Sequence, residues 1–110
     1  MNSLDKSDEL LAWAERSLGH VFLQPALCYA AVTHRSAGAE HNERLEFLGD
    51  AILNCSVARL LYDAHPLVDE GALSRLRATL VSGETLGQIA GELGLGKHLR
   101  LGSGELVNCN

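Results

Sequence analysis

The segment from residue 42 to residue 64 limits most strongly what this chain can fold into. Its apolar side chains recur at the period of an α-helix, and no strand-like alternation interrupts them. Pro66 follows directly, at a position where a helix must already have ended. We therefore predict one long helix over residues 42–64.

The other segments carry helical signals of the same kind. The first helix has Ser7 as its N-cap and ends before Gly19, and Pro25 lies in the first turn of a short second helix. Residues 68–94 form either one long helix or two, with Gly83 as the break. The glycine-rich tail that follows is predicted to be irregular. The expected fold class is all-α.

Charge and cysteine content exclude several classes of protein. The formal net charge of −5 argues against a domain that binds nucleic acid by charge alone, so an RNA partner would need positive charge from metal ions or another domain. Three widely spaced cysteines without a CxxC pair indicate a reduced, cytosolic chain. No stretch has the apolar core of a signal peptide or the length of a membrane span. We expect a soluble, cytoplasmic protein.

Three carboxylates fall on one side of the predicted long helix. In the stretch HNERLEFLGD, Glu43, Glu46 and Asp50 lie within an arc of roughly 60°, opposite the aliphatic residues. A solvated helix face is one interpretation of this pattern. The other is a site for Mg²⁺, because only Arg44 stands near to relieve the repulsion and a hard cation stabilises such a cluster. Magnesium at this place would suit phosphoryl chemistry.

The same stretch, extended to HNERLEFLGDAIL, resembles the signature motif of the ribonuclease III family. Three further stretches resemble that family in the same order and spacing: VTHRS at 32–36, VDEGALSRLRATLVSGETL at 68–86 and LRLGSGE at 99–105. The resemblance covers nearly the whole chain and is closest to bacterial ribonuclease III. It implies an all-helical endonuclease domain that acts as a homodimer on double-stranded RNA precursors. It also implies Mg²⁺, with Mn²⁺ as the alternative, and products with 5′-phosphates and short 3′ overhangs.

The resemblance implies roles for five side chains by their position in the motifs. Glu46 matches a direct metal ligand, and Asp50 matches a catalytic acid of the same metal site. Glu43 and Glu70 match two supporting acids that line the catalytic valley. Phe47, which the helical pattern sets beside the acids rather than among the aliphatic residues, matches an aromatic side chain that inserts into the partner subunit.

The chain departs from the family pattern towards its C-terminus. In the family, a later helix carries an Asp and a Glu that complete the metal site, and a double-stranded-RNA-binding domain follows. Neither is found before Asn110. The expectation is therefore an incomplete endonuclease domain over residues 1–110. Weak Mg²⁺ binding, poor cleavage and marginal stability of the isolated chain are expected from it.

Outside the acidic stripe, five residues carry predictions of their own. Arg75 and Arg77 leave two interpretations open, contact with RNA phosphates or ion pairing with the acids of the long helix. Cys55 lies near the aliphatic side of that helix, which predicts a buried thiol. Trp13 is predicted to lie in the core or at an interface, and Arg35 to pack and hydrogen-bond at a helix end.

Three hypotheses about function follow from these patterns. The first is a Mg²⁺-dependent endonuclease of double-stranded RNA, of which this chain is one part. The second is a non-catalytic scaffold that binds RNA or protein, although a scaffold would be expected to lose Glu46 or Asp50, and both are present. The third is an inactive remnant, which is equally consistent with intact motifs.

Overall fold

Five α-helices and two 3₁₀ turns make up the part of the chain that the computed structural model describes, residues 6–38 and 41–102. The helices are α1 (Lys6–Leu18), α2 (Pro25–Ala31), α3 (Glu43–Ala64), α4 (Glu70–Leu80) and α5 (Gly83–Leu93). The 3₁₀ turns cover Arg35–Ala37 and Leu95–His98. No strand is present in these ranges, so the predicted all-α class is confirmed.

The ends of α1 and α2 follow local sequence signals in most respects. Helix α2 begins at Pro25, whose fixed φ suits a first helical position. Helix α1 ends before Gly19, which has a φ of +68° that residues with a Cβ adopt at a cost. The prediction of Ser7 as the N-cap of α1 is wrong, because the helix already begins at Lys6. A capping residue type alone does not fix the first residue of a helix.

The segment after α3 forms two helices, and the break between them lies at Val81 and Ser82. The Ser82 hydroxyl accepts the backbone N–H of Thr85 at 3.2 Å and so caps α5. The Thr85 hydroxyl donates to the carbonyl of Thr79 at 2.8 Å, which joins the two helix ends. Gly83 is the first residue of α5. Of the two predicted alternatives, two helices is therefore confirmed, but a serine cap before Gly83 forms the break rather than the glycine.

The buried core lies between α1 and α2 and extends to the end of α5. Its buried members are Leu10, Trp13, Ala14, Cys28 and Val32, and partly buried side chains from α5 and the following turn pack against them. Trp13 therefore occupies the first of its two predicted positions, the core. Full burial of one large apolar side chain contributes about 1.5–3 kcal/mol, so Leu10 and Trp13 supply much of the stabilisation.

Helix α3 is 22 residues long, which corresponds to about 33 Å, and it packs along α4. Its aliphatic side is only half covered, with Leu48 54% and Ile52 56% exposed. Cys55 on the same helix is also exposed, so the predicted buried thiol is wrong. Angular position shows which side of a helix a residue occupies, but not whether another element covers that side. In the described ranges, no helix is both long and apolar enough to cross a bilayer.

Candidate functional site

Three acidic residues follow one another along the N-terminal half of α3. Glu43 is the first residue of the helix, and Glu46 and Asp50 come three and seven positions later, on the same side. All three are exposed to solvent. The Glu46 amide donates to the carbonyl of Asn42 at 2.7 Å, and Asn54 Nδ2 donates to the carbonyl of Asp50 at 2.9 Å. A regular, hydrogen-bonded helix therefore carries the predicted acidic stripe.

Glu43 is engaged by two basic side chains from outside α3. Arg35 Nη1 donates to Glu43 Oε2 at 3.1 Å, and the two side chains are 68% and 52% exposed. His41 Nδ1 accepts the backbone N–H of Glu43 at 3.3 Å, and His41 Nε2 lies 3.9 Å from Glu43 Oε1. The prediction that Arg35 hydrogen-bonds at a helix end is confirmed. Helical spacing predicts neighbours within one helix only, so it pointed to Arg44 as the counter-charge and missed Arg35, which lies outside α3.

Glu46 and Asp50 differ from Glu43 in that no ion pair reaches either of them among the described residues. Their carboxylates lie about one helical turn apart and offer the hard oxygen ligands that Mg²⁺ and Mn²⁺ prefer. Magnesium normally keeps several waters and takes only one or two carboxylates from a protein. The donor chemistry of this pair therefore fits a divalent cation held through part of its coordination shell.

Glu70 is the first residue of α4 and follows the N-cap residue Asp69. Helix α4 packs against α3, so Glu70 lies on a helix that contacts the one bearing the other acids. Nevertheless, no three His, Cys, Asp or Glu side chains within residues 6–38 and 41–102 are close enough to hold a metal ion together. Glu70 thus does not join the α3 acids in one closed ligand group, and its supporting role stays a prediction.

The two arginines of α4 occupy different environments. Arg75 is exposed, and its Nη1 lies 3.4 Å from the position that a Cβ on Gly71 would take, so the side chain runs back along its own helix. Arg77 is half-buried. The ion pairs found in the described part of the chain do not join either arginine to the acids of α3. This finding disfavours the pairing interpretation, and contact with RNA phosphates stays a prediction.

Phe47 projects from α3 into solvent between the acidic positions. Its side chain is 81% exposed, although phenylalanine is ordinarily among the most buried residue types. The predicted position of Phe47 away from the core is therefore confirmed. A large aromatic side chain in this position is available for contact with another molecule.

A network of short hydrogen bonds joins the THRS stretch to Arg100 and Gly102. The backbone of His34 donates to the carbonyl of Arg100 at 2.8 Å, and the Gly102 amide donates to Ser36 Oγ at 2.8 Å. The Ser36 amide in turn donates to His34 Nδ1 at 3.1 Å. A Cβ on Gly102 would overlap the backbone carbonyl of Ser36, so only glycine fits there. Sequence reasoning did not single out Ser36 or Gly102, although both lie in stretches that carried the family resemblance.

Comparison with known proteins agrees with this architecture. A family model described as ribonuclease-III-like matches residues 24–108. Ribonuclease 3 of Thiobacillus denitrificans is 63% identical over 92 residues, and ribonuclease 3 of Nitrosococcus oceani is 62% identical over 91 residues. These matches cover 84% and 83% of this chain but 41% and 39% of the relatives. The chain therefore spans about two fifths of the length of the curated relatives it matches.

Solved structures give the same result for the fold. One structure of the nuclease domain of ribonuclease III from Campylobacter jejuni, concerned with flexibility in the region involved in dimer formation of that domain, superposes with a TM-score of 0.84 at 38% identity. It covers 89% of this chain and 69% of the other. A crystal structure of the same domain gives a TM-score of 0.80 at 37% identity and covers 98% and 69% of the two chains. From its helical architecture, its acidic signature helix and these matches, the chain belongs to the ribonuclease-III-like family and has the fold of a ribonuclease III nuclease domain.

Proposed function

We propose that this chain forms the nuclease domain, or part of it, of an endonuclease that hydrolyses double-stranded RNA with Mg²⁺. Mn²⁺ is the alternative metal. The observation that carries the proposal is the pair Glu46 and Asp50, exposed and without an ion pair among the described residues. This pair lies in a chain that is 62–63% identical to ribonuclease 3 of two bacteria. Processing of structured RNA precursors is the proposed task.

The residues of α3 divide the work according to their environment. Glu46 and Asp50 would hold the cation through carboxylate oxygens, and the long helix fixes the spacing between the two residues. When bound, the cation supplies an activated water and neutralises charge on the leaving oxygen of the phosphodiester. Glu43 and Glu70 have supporting roles at the margins of the site. The products are expected to carry 5′-phosphates and short 3′ overhangs.

Positive charge for RNA binding is scarce in this chain. The net charge of −5 repels a phosphate backbone, so the bound cations and local arginines must offset it. Arg75, which is exposed on α4, and Arg77, which lies two residues later and is half-buried, are the proposed phosphate contacts. These contacts position the duplex against α3 and give no preference for base sequence.

Two copies of the chain are proposed to act together as a homodimer. Phe47, at 81% exposure, is the proposed contact that inserts into the partner subunit. Support comes from the Campylobacter jejuni nuclease domain, for which a region involved in dimer formation is described. In such a dimer, each subunit contributes one acidic stripe.

Because the incomplete domain alone is expected to cleave poorly, the proposal is tested with residues 1–110 joined to the C-terminal part of the Thiobacillus denitrificans relative, on a 5′-labelled RNA duplex in Mg²⁺ and, separately, in Mn²⁺. Loss of an outer partner of a metal site lowers activity by up to about 100-fold, and loss of a direct ligand should cost more. Glu46→Gln and Asp50→Asn should therefore each lower the cleavage rate by more than about 100-fold. Duplex binding by both variants should stay within about twofold of the unsubstituted chain, because each substitution removes a repelling carboxylate charge together with the cation. Glu92→Gln, which removes the same charge from an exposed position on α5, is the matched control and should cleave normally.

A second candidate function is a non-catalytic RNA-binding scaffold. It is favoured by one observation, that no three potential ligands come together within the described ranges. The same experiment separates the two candidates. Duplex binding without cleavage in either metal would support the scaffold, whereas cleavage that is unaffected by Asp50→Asn would show that the metal site is assigned wrongly.

A further inference from the structure

A hydrogen bond joins Arg35 and Glu43, which are eight residues apart in sequence and belong to different elements. Arg35 opens the 3₁₀ turn Arg35–Ala37, and Glu43 is the first residue of α3. Arg35 Nη1 donates to Glu43 Oε2 at 3.1 Å. Because both side chains are more than half exposed, the pair contributes little to stability. Its significance lies in where it holds the Glu43 carboxylate.

The turn that carries Arg35 is fixed by hydrogen bonds on both of its sides. Gly102 donates to Ser36 Oγ at 2.8 Å, and the backbone of His34 donates to Arg100 at 2.8 Å. The backbone at Arg35 is therefore held by hydrogen bonds to the C-terminal part of the described chain. Less conformational entropy is lost when such a side chain forms an ion pair than when it projects from a free loop.

The start of α3 is tied to the same region. The amide of Asn42 donates to the carbonyl of Thr33 at 2.9 Å, and Asn42 Nδ2 donates to the carbonyl of Ala31 at 3.1 Å. Both ends of the Arg35–Glu43 contact are thus held by backbone bonds that do not depend on the contact itself. The arrangement is a fixed feature of the fold rather than a chance meeting of two long side chains.

This contact divides the acidic stripe into two parts. Glu43 forms an ion pair with Arg35, whereas no ion pair reaches Glu46 or Asp50 among the described residues. We propose that Arg35 is a positioning residue that retains the Glu43 carboxylate and so confines the divalent cation to Glu46 and Asp50. The inference rests on the proposed function, because it concerns the same cation site. It agrees with the finding that no three potential ligands converge in the described part of the chain.

The test is the affinity of the chain for Mn²⁺ alone, measured from the signal of free Mn²⁺ by electron paramagnetic resonance. At about 0.1 M salt the Debye length is about 10 Å, so charges further than that from the cation site are largely screened. Arg35→Gln releases Glu43 as a third carboxylate and should tighten Mn²⁺ binding about three- to fivefold, the upper part of the range for loss of an exposed ion pair. Arg35→Lys keeps the charge and one donor and should stay within about twofold of the unsubstituted chain.

Arg44→Gln is the matched control, because Arg44 lies beside Glu43 on α3 but has no ion pair among the described residues. It should change the Mn²⁺ affinity by less than about twofold, since it removes the same charge without releasing a carboxylate. The double variant Arg35→Gln with Glu43→Gln should return close to the original affinity. Melting temperatures should change by only a few degrees, because the pair is exposed.

The outcomes separate the inference from the proposed function. Equal effects of Arg35→Gln and Arg44→Gln, or no effect of Arg35→Gln, would overturn the positioning role of Arg35. Loss of Mn²⁺ affinity in Asp50→Asn should accompany either result if the cation site is correct. Unchanged affinity in both Glu46→Gln and Asp50→Asn would instead overturn the site itself and with it the proposed function.

Discussion

The indole Nε1 of Trp13 donates a 2.7 Å hydrogen bond to the backbone carbonyl of Leu93, which lies 80 residues further along the chain. The bond ties α1 to the last residue of α5 and closes the small core on one side. The other long helices leave much of their apolar surface exposed. The stability of the fold therefore depends strongly on this contact between the two ends of the described chain.

Trp13→Phe is expected to lower the free energy of unfolding by about 1–2 kcal/mol, because it leaves the Leu93 carbonyl without its donor and leaves a small void. Trp13 is the single tryptophan of the chain, so unfolding in urea should be followed by circular dichroism rather than fluorescence. Leu67→Ala, at a side chain that is 98% exposed, is the control and should change stability by less than about 0.5 kcal/mol. Equal stability of the two variants would mean that the Trp13 bond contributes nothing.

Gly102→Ala is expected to destabilise the chain by about 1–3 kcal/mol, because the added Cβ would overlap the carbonyl of Ser36 and push the segment away from the turn. Hydrogen exchange at the amide of His34, which donates to Arg100, should become faster. Gly87→Ala is the matched control: Gly87 lies within α5 with open space around it, so alanine should stabilise by about 0.5–1 kcal/mol. Destabilisation by both substitutions to the same extent would contradict the close approach at Gly102.

The two cysteines that the structure describes should react with a thiol reagent at very different rates. Burial raises the pKa of the Cys28 thiol, so at pH 8 a smaller fraction is present as the reactive thiolate, whereas Cys55 is exposed. In a chain with Cys109→Ser, modification should therefore show a fast and a slow phase. Adding Cys55→Ser should remove the fast phase. Loss of the slow phase instead would show that Cys55 is the buried thiol, as the sequence pattern predicted.

Phe47→Ser should weaken self-association, since it removes the large exposed side chain proposed to insert into the partner subunit. Sedimentation velocity over a range of concentrations should give a dimer dissociation constant that is at least about tenfold higher for the variant. Leu67→Ser removes a side chain that is even more exposed but lies off α3, and it should leave the dissociation constant unchanged. If both variants associate like the unsubstituted chain, Phe47 is not the dimer contact.

Local signals in the sequence were enough to predict most of the helices. Pro25 and Gly19 mark helix ends through their own backbone preferences, which act within one or two residues. The period of apolar residues predicted α3 because it reflects contacts within a single element. The family resemblance rests on such local stretches too, and the comparisons confirm it.

Contacts between elements were decided by the tertiary structure alone. Arg35 meets Glu43 across a 3₁₀ turn, and Gly102 meets Ser36 across most of the chain; neither distance follows from a helical period. Burial also depends on contacts between elements: the place of Cys55 on the helix was predicted correctly, but its burial was not. The sequence by itself determined which residues share a helix face, because that depends on backbone geometry within one element. Which of those faces is covered, and which acid finds a counter-charge, depends on how separate elements pack, and only the folded chain decides that.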